Sequence, residues 1–269
     1  MGLVTAALAA VLLLFPGAPT PHRTAHVLAP PGHGAVFDYQ IGGAYRPAQA
    51  VRIVDRDRGA RPSPGHYNIC YVNAFQTQAE EHHFWTSRHP DLLLRNGSGG
   101  FLQDPDWPGE YVLDTSTRAK RHAIARIEYV WLDGCARKGF DAVEPDNLDS
   151  WTRAGVHHRL TRSDNLGLAS LLARHAHADG LAIGQKNTVE VSRAGRKQVH
   201  FDFAIAEECQ RYHECGGYRR WYGSRVYEIE YRRRDFRAAC SGHRGTMSII
   251  LRDLDVTPRG NPHYVYRHC

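Results

Sequence analysis

Four polar clusters follow short apolar runs in this sequence, and their residue types suit bond cleavage by paired carboxylates. Glu144-Pro145-Asp146-Asn147-Leu148-Asp149 follows the run at 140–143, and Gln185-Lys186-Asn187 follows 180–184. Glu207-Glu208-Cys209 follows 201–205, and Glu230-Tyr231 follows 226–229. An earlier run, FDYQI at 37–41, carries Asp38, Tyr39 and Gln40 within it. Two carboxylates that share a cavity push their pKa values apart, leaving one protonated and one ionised near neutral pH. Glycoside hydrolysis needs such a pair, one acid to protonate the leaving oxygen and a second to act as nucleophile or water-activating base. Any one of these clusters also fits a helix cap or a solvated helix start. The coincidence of four favours a site. Alternation puts Asp141 and Val143 on one strand face and Ala142 and Glu144 on the other, and a turn at Pro145 is expected to redirect Asp146.

Side chains from separate strand ends converge when the strands are parallel and closed into a barrel, whose C-terminal face carries the site. Nine short apolar runs are candidate strands, at 37–41, 67–73, 92–95, 111–113, 140–143, 180–184, 201–205, 226–229 and 246–251, one more than such a barrel uses. Between them, 117–137 and 166–179 space their apolar residues as amphipathic helices do. The expected fold class is α/β, a single-domain (β/α)8 TIM barrel over residues 37–269.

Residues 1–25 read as a secretory signal peptide, an apolar stretch (GLVTAALAAVLLLF) closed by Pro16 and Gly17 and too short to span a bilayer. Residues 26–36 read as a flexible linker. Six cysteines in an exported chain imply disulfides. Cys209 and Cys215 are close enough to bridge locally, Cys240 and Cys269 are the two late ones, and Cys70 is left with Cys135. Their spacing is no metal-binding knuckle, so no metal and no cofactor are expected. The chain carries 34 Lys and Arg against 28 Asp and Glu. The basic residues are scattered, with short clusters such as Arg232-Arg233-Arg234, so nucleic acid is not an expected partner. After signal cleavage no membrane contact is expected, and the mature protein is read as a secreted, extracellular monomer.

At EPDNLD and AEECQRYHEC the sequence resembles glycoside hydrolase family 114, the endo-α-1,4-polygalactosaminidase family. The order (D/E)PDN-x-D, G-x-KN, then EEC followed by EC is met at 144–149, 184–187, 207–209 and 214–215, with DYQIGG near the start. The resemblance implies a (β/α)8 barrel that cleaves α-1,4-linked galactosamine polymers, with Asp146 and Glu207 as the catalytic pair. Ala206 stands where the family often has Asn, and Glu208 where Gln is common. Glu208 therefore competes with Glu207, as Glu144 and Asp149 compete with Asp146 inside one loop.

The implied substrate is cationic. A cleft lined by Asp38, Glu144, Asp146, Asp149, Glu207 and Glu230 would attract its ammonium groups in spite of the basic net charge. Gln40, Asn147 and Asn187 are further substrate-binding candidates. Tyr39, Tyr71, Tyr231 and Trp151 are candidates for stacking or cation–π contact. Lys186 is read as an ion-pair partner that orients an acid. Two other readings are a carbohydrate-binding barrel without turnover and a metal-dependent polysaccharide deacetylase, the latter suggested by 17 histidines.

Overall fold

Within each barrel strand, alternate side chains turn to the axis, and in this chain those positions are apolar at the base and polar at the top. The computed structural model describes residues 29–269. Eight parallel strands run in chain order around the barrel: β1 (Phe37–Tyr39), β2 (Ile53–Asp57), β3 (Tyr67–Asn73), β4 (Ala142–Asp146), β5 (Ala182–Lys186), β6 (Phe203–Glu207), β7 (Val226–Glu230) and β8 (Ser248–Arg252). A ninth strand, β9 (Tyr266–His268), pairs antiparallel with β8. Tyr266 closes the seam by donating from its hydroxyl to the Phe37 carbonyl at 2.8 Å. Phe37, Ile53, Ile69, Phe203, Tyr227 and Ile250 fill the barrel base.

The outer layer is uneven. Helix α1 (His82–Arg88) and the long α2 (Arg118–Lys138) follow β3, and α3 (Arg162–Ala178) follows β4. A short α4 (Ser192–Ala194) running into a π-helical turn follows β5, α5 (Cys215–Tyr222) follows β6 and α6 (Arg233–His243) follows β7. Thr117 caps α2 by accepting from the Lys120 amide, and Gly139, at φ 91°, ends it in the left-handed conformation. A reciprocal Thr161–Asp164 capping box starts α3. Among the described residues no helix follows β1, β2 or β8, so the barrel is incompletely clothed there.

Several expectations change in detail. The runs at 92–95 and 111–113 are not barrel strands. They meet in isolated antiparallel bridges, Leu93 with Leu113 and Gln76 with Val112, in a long excursion between β3 and α2. The strand at 53–57 is absent from the expected set because IVDRD carries charge on both faces, Asp55 inward and Arg56 outward, which hides the alternation. Pro145 does not turn the chain. It lies inside β4, so Glu144 and Asp146 share the inward face.

The expected signal peptide lies outside the described residues, as do residues 26–28 of the expected linker. From Pro30 onward that linker is held against the barrel base. Pro30 is buried, the Tyr227 hydroxyl donates to the Pro31 carbonyl at 2.7 Å, and Ser248 Oγ donates to the Ala35 carbonyl at 2.5 Å. Disulfides join Cys70 to Cys135 (β3 to α2), Cys209 to Cys215 (the β6 exit to α5) and Cys240 to Cys269 (α6 to the C-terminal residue).

Gly184 faces the axis one alternation below Lys186. A Cβ there would lie 2.5 Å from the Phe203 ring. Gly184→Ala should therefore force Phe203 from its position and destabilise the fold by about 1–3 kcal/mol, measurable by chemical denaturation. Unchanged stability would mean that the ring moves freely.

Candidate active site

Lys186, the last residue of β5, points inward to the barrel axis, where burial of a bare ammonium would be prohibitive. It is compensated on three sides. Its Nζ lies 2.9 Å from Glu144 Oε1 and 3.1 Å from Asp146 Oδ1, both on β4, and 3.4 Å from Glu207 Oε2 at the end of β6. It also donates to the Tyr39 hydroxyl at 3.1 Å, and Tyr39 donates onward to Glu144 Oε1 at 3.1 Å. Burial opposes the ammonium, but Asp146, Glu144 and Glu207 outweigh it and hold the pKa well above the ordinary lysine value.

The three acids differ in what else they meet. The Glu144 side chain is 0% exposed, below the cleft floor, whereas Asp146 is 16% and Glu207 25% exposed. Asp146 Oδ2 accepts from the Tyr71 hydroxyl at 2.7 Å, and Oδ1 accepts from the Asn147 amide at 2.7 Å as well as from Lys186. Burial alone would raise the Asp146 pKa, yet Lys186 and these donors bring it below the usual carboxylate value. Glu207 accepts from Asn187 Nδ2 at 2.9 Å and from the Tyr231 hydroxyl, while its amide donates to Asn187 Oδ1 at 2.8 Å. Asn187 thus fixes Glu207 from both its backbone and its side chain.

Beneath them, Asp55 on β2 is fully buried, and its pKa is pushed well above the carboxylate range by burial and by its neighbour Glu144. The shift favours the neutral form of Asp55 beside Glu144. The charge of the buried cluster is brought closer to balance by the Lys186 ammonium.

Left-handed backbone recurs where the chain leaves these strands, at Asn147 (φ 64°), Asn187 (φ 46°), Thr188 (φ 65°) and Glu208 (φ 55°). Such strain gathers where a side chain must be aimed. At Glu208 it separates two neighbouring acids: Arg211 Nη1 donates to both Glu208 oxygens, at 2.7 and 2.6 Å, and Glu207 alone turns to Lys186. Asp149 is paired with Arg153 at 2.9 Å on the cleft wall. Among these neighbouring acids, Asp146 and Glu207 are the two that meet both Lys186 and the cleft.

A cleft of about 790 Å³ opens above this pair, lined among others by Tyr39, Tyr71, Asn147, Asp149, Asn187 and Tyr231. Five expected contacts lie elsewhere, the first being Glu144 below the floor. Asp38 is on the outward face of β1, where it accepts from Gln40 Nε2 at 2.8 Å and Tyr45 at 2.6 Å, and Gln40 in turn accepts from Arg56 Nε at 2.9 Å. Glu230 faces outward from β7, accepts the Gln210 amide at 2.9 Å and shares a proton with Glu228, whose pKa burial pushes up to about 9. Trp151 packs beside Leu94, Leu102 and Leu160 and borders a separate hollow. Alternation explains the two acids, since Tyr39 and Tyr231 turn inward and their neighbours Asp38 and Glu230 turn out. Sequence reasoning missed Asp55 with its strand, and it missed Glu110, Trp107, Tyr212 and Leu254, which enter the cleft from loops without periodicity.

Among the described residues no histidine lines the cleft. Of the two clusters with metal-ligand geometry among the described residues, one contains the Cys209–Cys215 disulfide. The other, Asp133, His175 and Asp179, lies between α2 and α3. The deacetylase reading finds no ligand set at the cleft.

The model of glycoside-hydrolase family GH114 matches residues 17–269. The chain belongs to this family. It is a glycoside hydrolase built on a TIM barrel. Among solved structures it is similar to Ega3 of Aspergillus fumigatus, determined in complex with galactosamine, at 22% identity and a TM-score of 0.72, covering 91% of this chain and 99% of that one. It is also similar to the glycoside hydrolase domain of PelA from Pseudomonas aeruginosa, at 16% identity and a TM-score of 0.61, covering 87% and 98%. No curated protein sequence matches the chain.

Lys186→Met removes the ammonium that keeps Asp146 ionised. The expected result is a loss of about 10²-fold or more in kcat. The acid limb of the pH–rate profile should move to higher pH, because Asp146 would then gain its proton at higher pH. An unmoved acid limb would show that Lys186 does not set the charge of Asp146.

Proposed function

We propose that this hydrolase cleaves α-1,4-galactosaminidic bonds within galactosamine-containing polysaccharide, with Asp146 as nucleophile and Glu207 as acid and base. The observation that carries the reading is the placing of both carboxylates on one lysine at the floor of an acidic cleft. Asp146 is the better nucleophile because Lys186, the Tyr71 hydroxyl and the Asn147 amide together hold its pKa below the usual carboxylate value. Glu207 lies farther from Lys186 and is more exposed, as a group that exchanges protons with substrate and water must be.

Because Asp146 Oδ1 and Glu207 Oε2 lie 3.1 and 3.4 Å from the same nitrogen, the two oxygens are no farther apart than the shortest spacing that suits inversion, about 6.5 Å. A bent arrangement about the ammonium brings them to the closer spacing of retaining enzymes. In the first step Asp146 attacks the anomeric carbon while Glu207 gives its proton to the departing glycosidic oxygen. In the second, Glu207 takes a proton from water, the hydroxyl adds to the anomeric carbon and Asp146 leaves. One water is consumed and the anomeric configuration is retained.

The cleft supports a polymeric, cationic substrate. Glu80, Glu110, Asp149, Glu190, Glu214 and Asp255 surround the pair, whereas its two basic residues, Lys186 and Arg153, are already engaged by acids. The local field is negative on a chain whose formal net charge is +6. Trp107, Tyr212 and Leu254, three of the four exposed large hydrophobic residues among those described, all stand on this rim, where sugar faces would stack. Ega3, solved with galactosamine, gives the same direction. Three disulfides and the apolar N-terminal run support export, with residues 1–25 removed and residues 37–269 acting as a single-domain monomer.

Reducing-end release from deacetylated polygalactosamine and from α-1,4-galactosaminogalactan tests the proposal. Wild type should cleave, and Asp146→Asn and Glu207→Gln should each lose at least about 10³-fold in kcat while remaining folded. The first product seen by proton NMR should be the α-anomer. Cleavage that survives both substitutions would remove the pair from the mechanism. A folded wild type that binds these polymers without releasing reducing ends would be the carbohydrate-binding barrel.

A further inference from the structure

Glu110 is an acid in the cleft that the two-carboxylate mechanism does not use. It comes from the excursion between β3 and α2, yet it is fixed as firmly as a strand residue. Its Oε2 accepts from Asn73 Nδ2 at 2.9 Å and from Gln76 Nε2 at 3.1 Å. Asn73 stands in register with Asp146 across the β3–β4 ladder, and its Oδ1 accepts from Nδ2 of Asn147, the residue after Asp146, at 2.8 Å. Glu110 is thereby held beside the nucleophile, on the β3 side of the cleft.

Its other oxygen has no such work. Among the described residues Glu110 Oε1 accepts no hydrogen bond, and the side chain lines the cleft. The charges around Glu110 do not neutralise it. Asp104, on the same excursion, is paired with Arg153 at 2.6 Å, and Asp146, on β4, is occupied by Lys186. Burial, with repulsion from Asp146 and Asp104 outweighing the two amide donors, pushes the Glu110 pKa up to about 7. A half-buried carboxylate with one open oxygen and no cation of its own is completed by a donor that arrives with the ligand.

We propose that Glu110 is the specificity residue that holds the free amino group of the sugar seated on Asp146. In a 2-amino sugar the nitrogen-bearing carbon is bonded to the anomeric carbon. A sugar attacked by Asp146 therefore brings its nitrogen to the nucleophile's immediate surroundings, where Glu110 Oε1 is an unengaged acceptor held through Asn73. An ammonium supplies charge and three donors, an acetamide supplies one neutral N–H and a carbonyl that the carboxylate repels, and a hydroxyl supplies one neutral donor. This inference rests on the proposed substrate class and goes further by naming the residue that reads the amine.

Calorimetric binding of D-galactosamine, N-acetylgalactosamine and galactose to the wild-type chain and to Glu110→Gln tests it without requiring turnover. Gln preserves the size and can still accept from Asn73 and Gln76, and thermal denaturation of the variant checks that it folds. Wild type should prefer galactosamine over galactose by about tenfold or more. Glu110→Gln should abolish that preference while leaving galactose affinity within about twofold. In steady-state cleavage, the substitution should raise KM on deacetylated oligomers and leave it nearly unchanged on N-acetylated ones. No wild-type preference for the amine, or equal losses on all three sugars, would overturn the assignment, the second result marking Glu110 as a prop for Asn73 and Asn147. A preserved amine preference in a chain that cleaves no galactosamine polymer would overturn the proposed reaction and leave the role of Glu110 standing.

Discussion

One buried ammonium organises the top of this barrel. Lys186 draws together Tyr39 from β1, Glu144 and Asp146 from β4 and Glu207 from β6, and it can remain charged there only because these partners surround it. The converse also holds, since the acids could not crowd the axis without the cation. The cluster separates its members by depth. Glu144 and Asp55 stay below the floor and balance charge, while Asp146 and Glu207 reach the cleft. A cation in a site proposed to take cationic sugars is consistent, because its charge is matched by Glu144, Asp146 and Glu207.

The uneven outer layer follows from where that site needs support. Helices α2 and α3 clothe β3 to β5, the sector that bears Asp146 and Lys186, and the Cys70–Cys135 bridge ties β3 to α2. On the side of β1 and β2, where no helix packs, polar groups replace apolar ones on the outer face, with Arg56 donating to Gln40 and to the carbonyls of Arg61 and Tyr45. The acids there are structural. The excursion after β3 takes the opposite role, leaving the barrel wall to bring Trp107 and Glu110 over the cleft.

The sequence made the polar groups of the cleft floor legible because they sit at strand ends, where residue type and order survive without knowledge of packing. EPDNLD, GQKN and EEC could be placed on one cavity as soon as a parallel barrel was assumed, and the structure brings Asp146, Lys186, Asn187 and Glu207 together there. Asp38 and Glu230 were assigned to the cleft by type alone, although alternation with Tyr39 and Tyr231 already placed them on the opposite faces. Strand β2 was hidden for a physical reason: an inward acid beside an outward arginine breaks the apolar rhythm. The excursion read as two strands because Leu92–Leu94 and Val112–Leu113 are buried, but they bury against each other's loop and not within the barrel. Glu110 left no mark, since its setting is made by Asn73, Gln76 and Asp146 from other parts of the chain.

The central claim is that Lys186 divides the labour of two carboxylates so that Asp146 bonds covalently to the sugar. Trapping that bond tests it most directly. Glu207→Gln, given an activated 2-amino-galactosyl fluoride whose leaving group needs no acid, should form a glycosyl adduct that accumulates because no base remains to activate water. Intact-mass spectrometry should show one added sugar, and peptide mapping should place it on Asp146. An adduct on any other residue, or turnover to an inverted product without an adduct, would contradict the account.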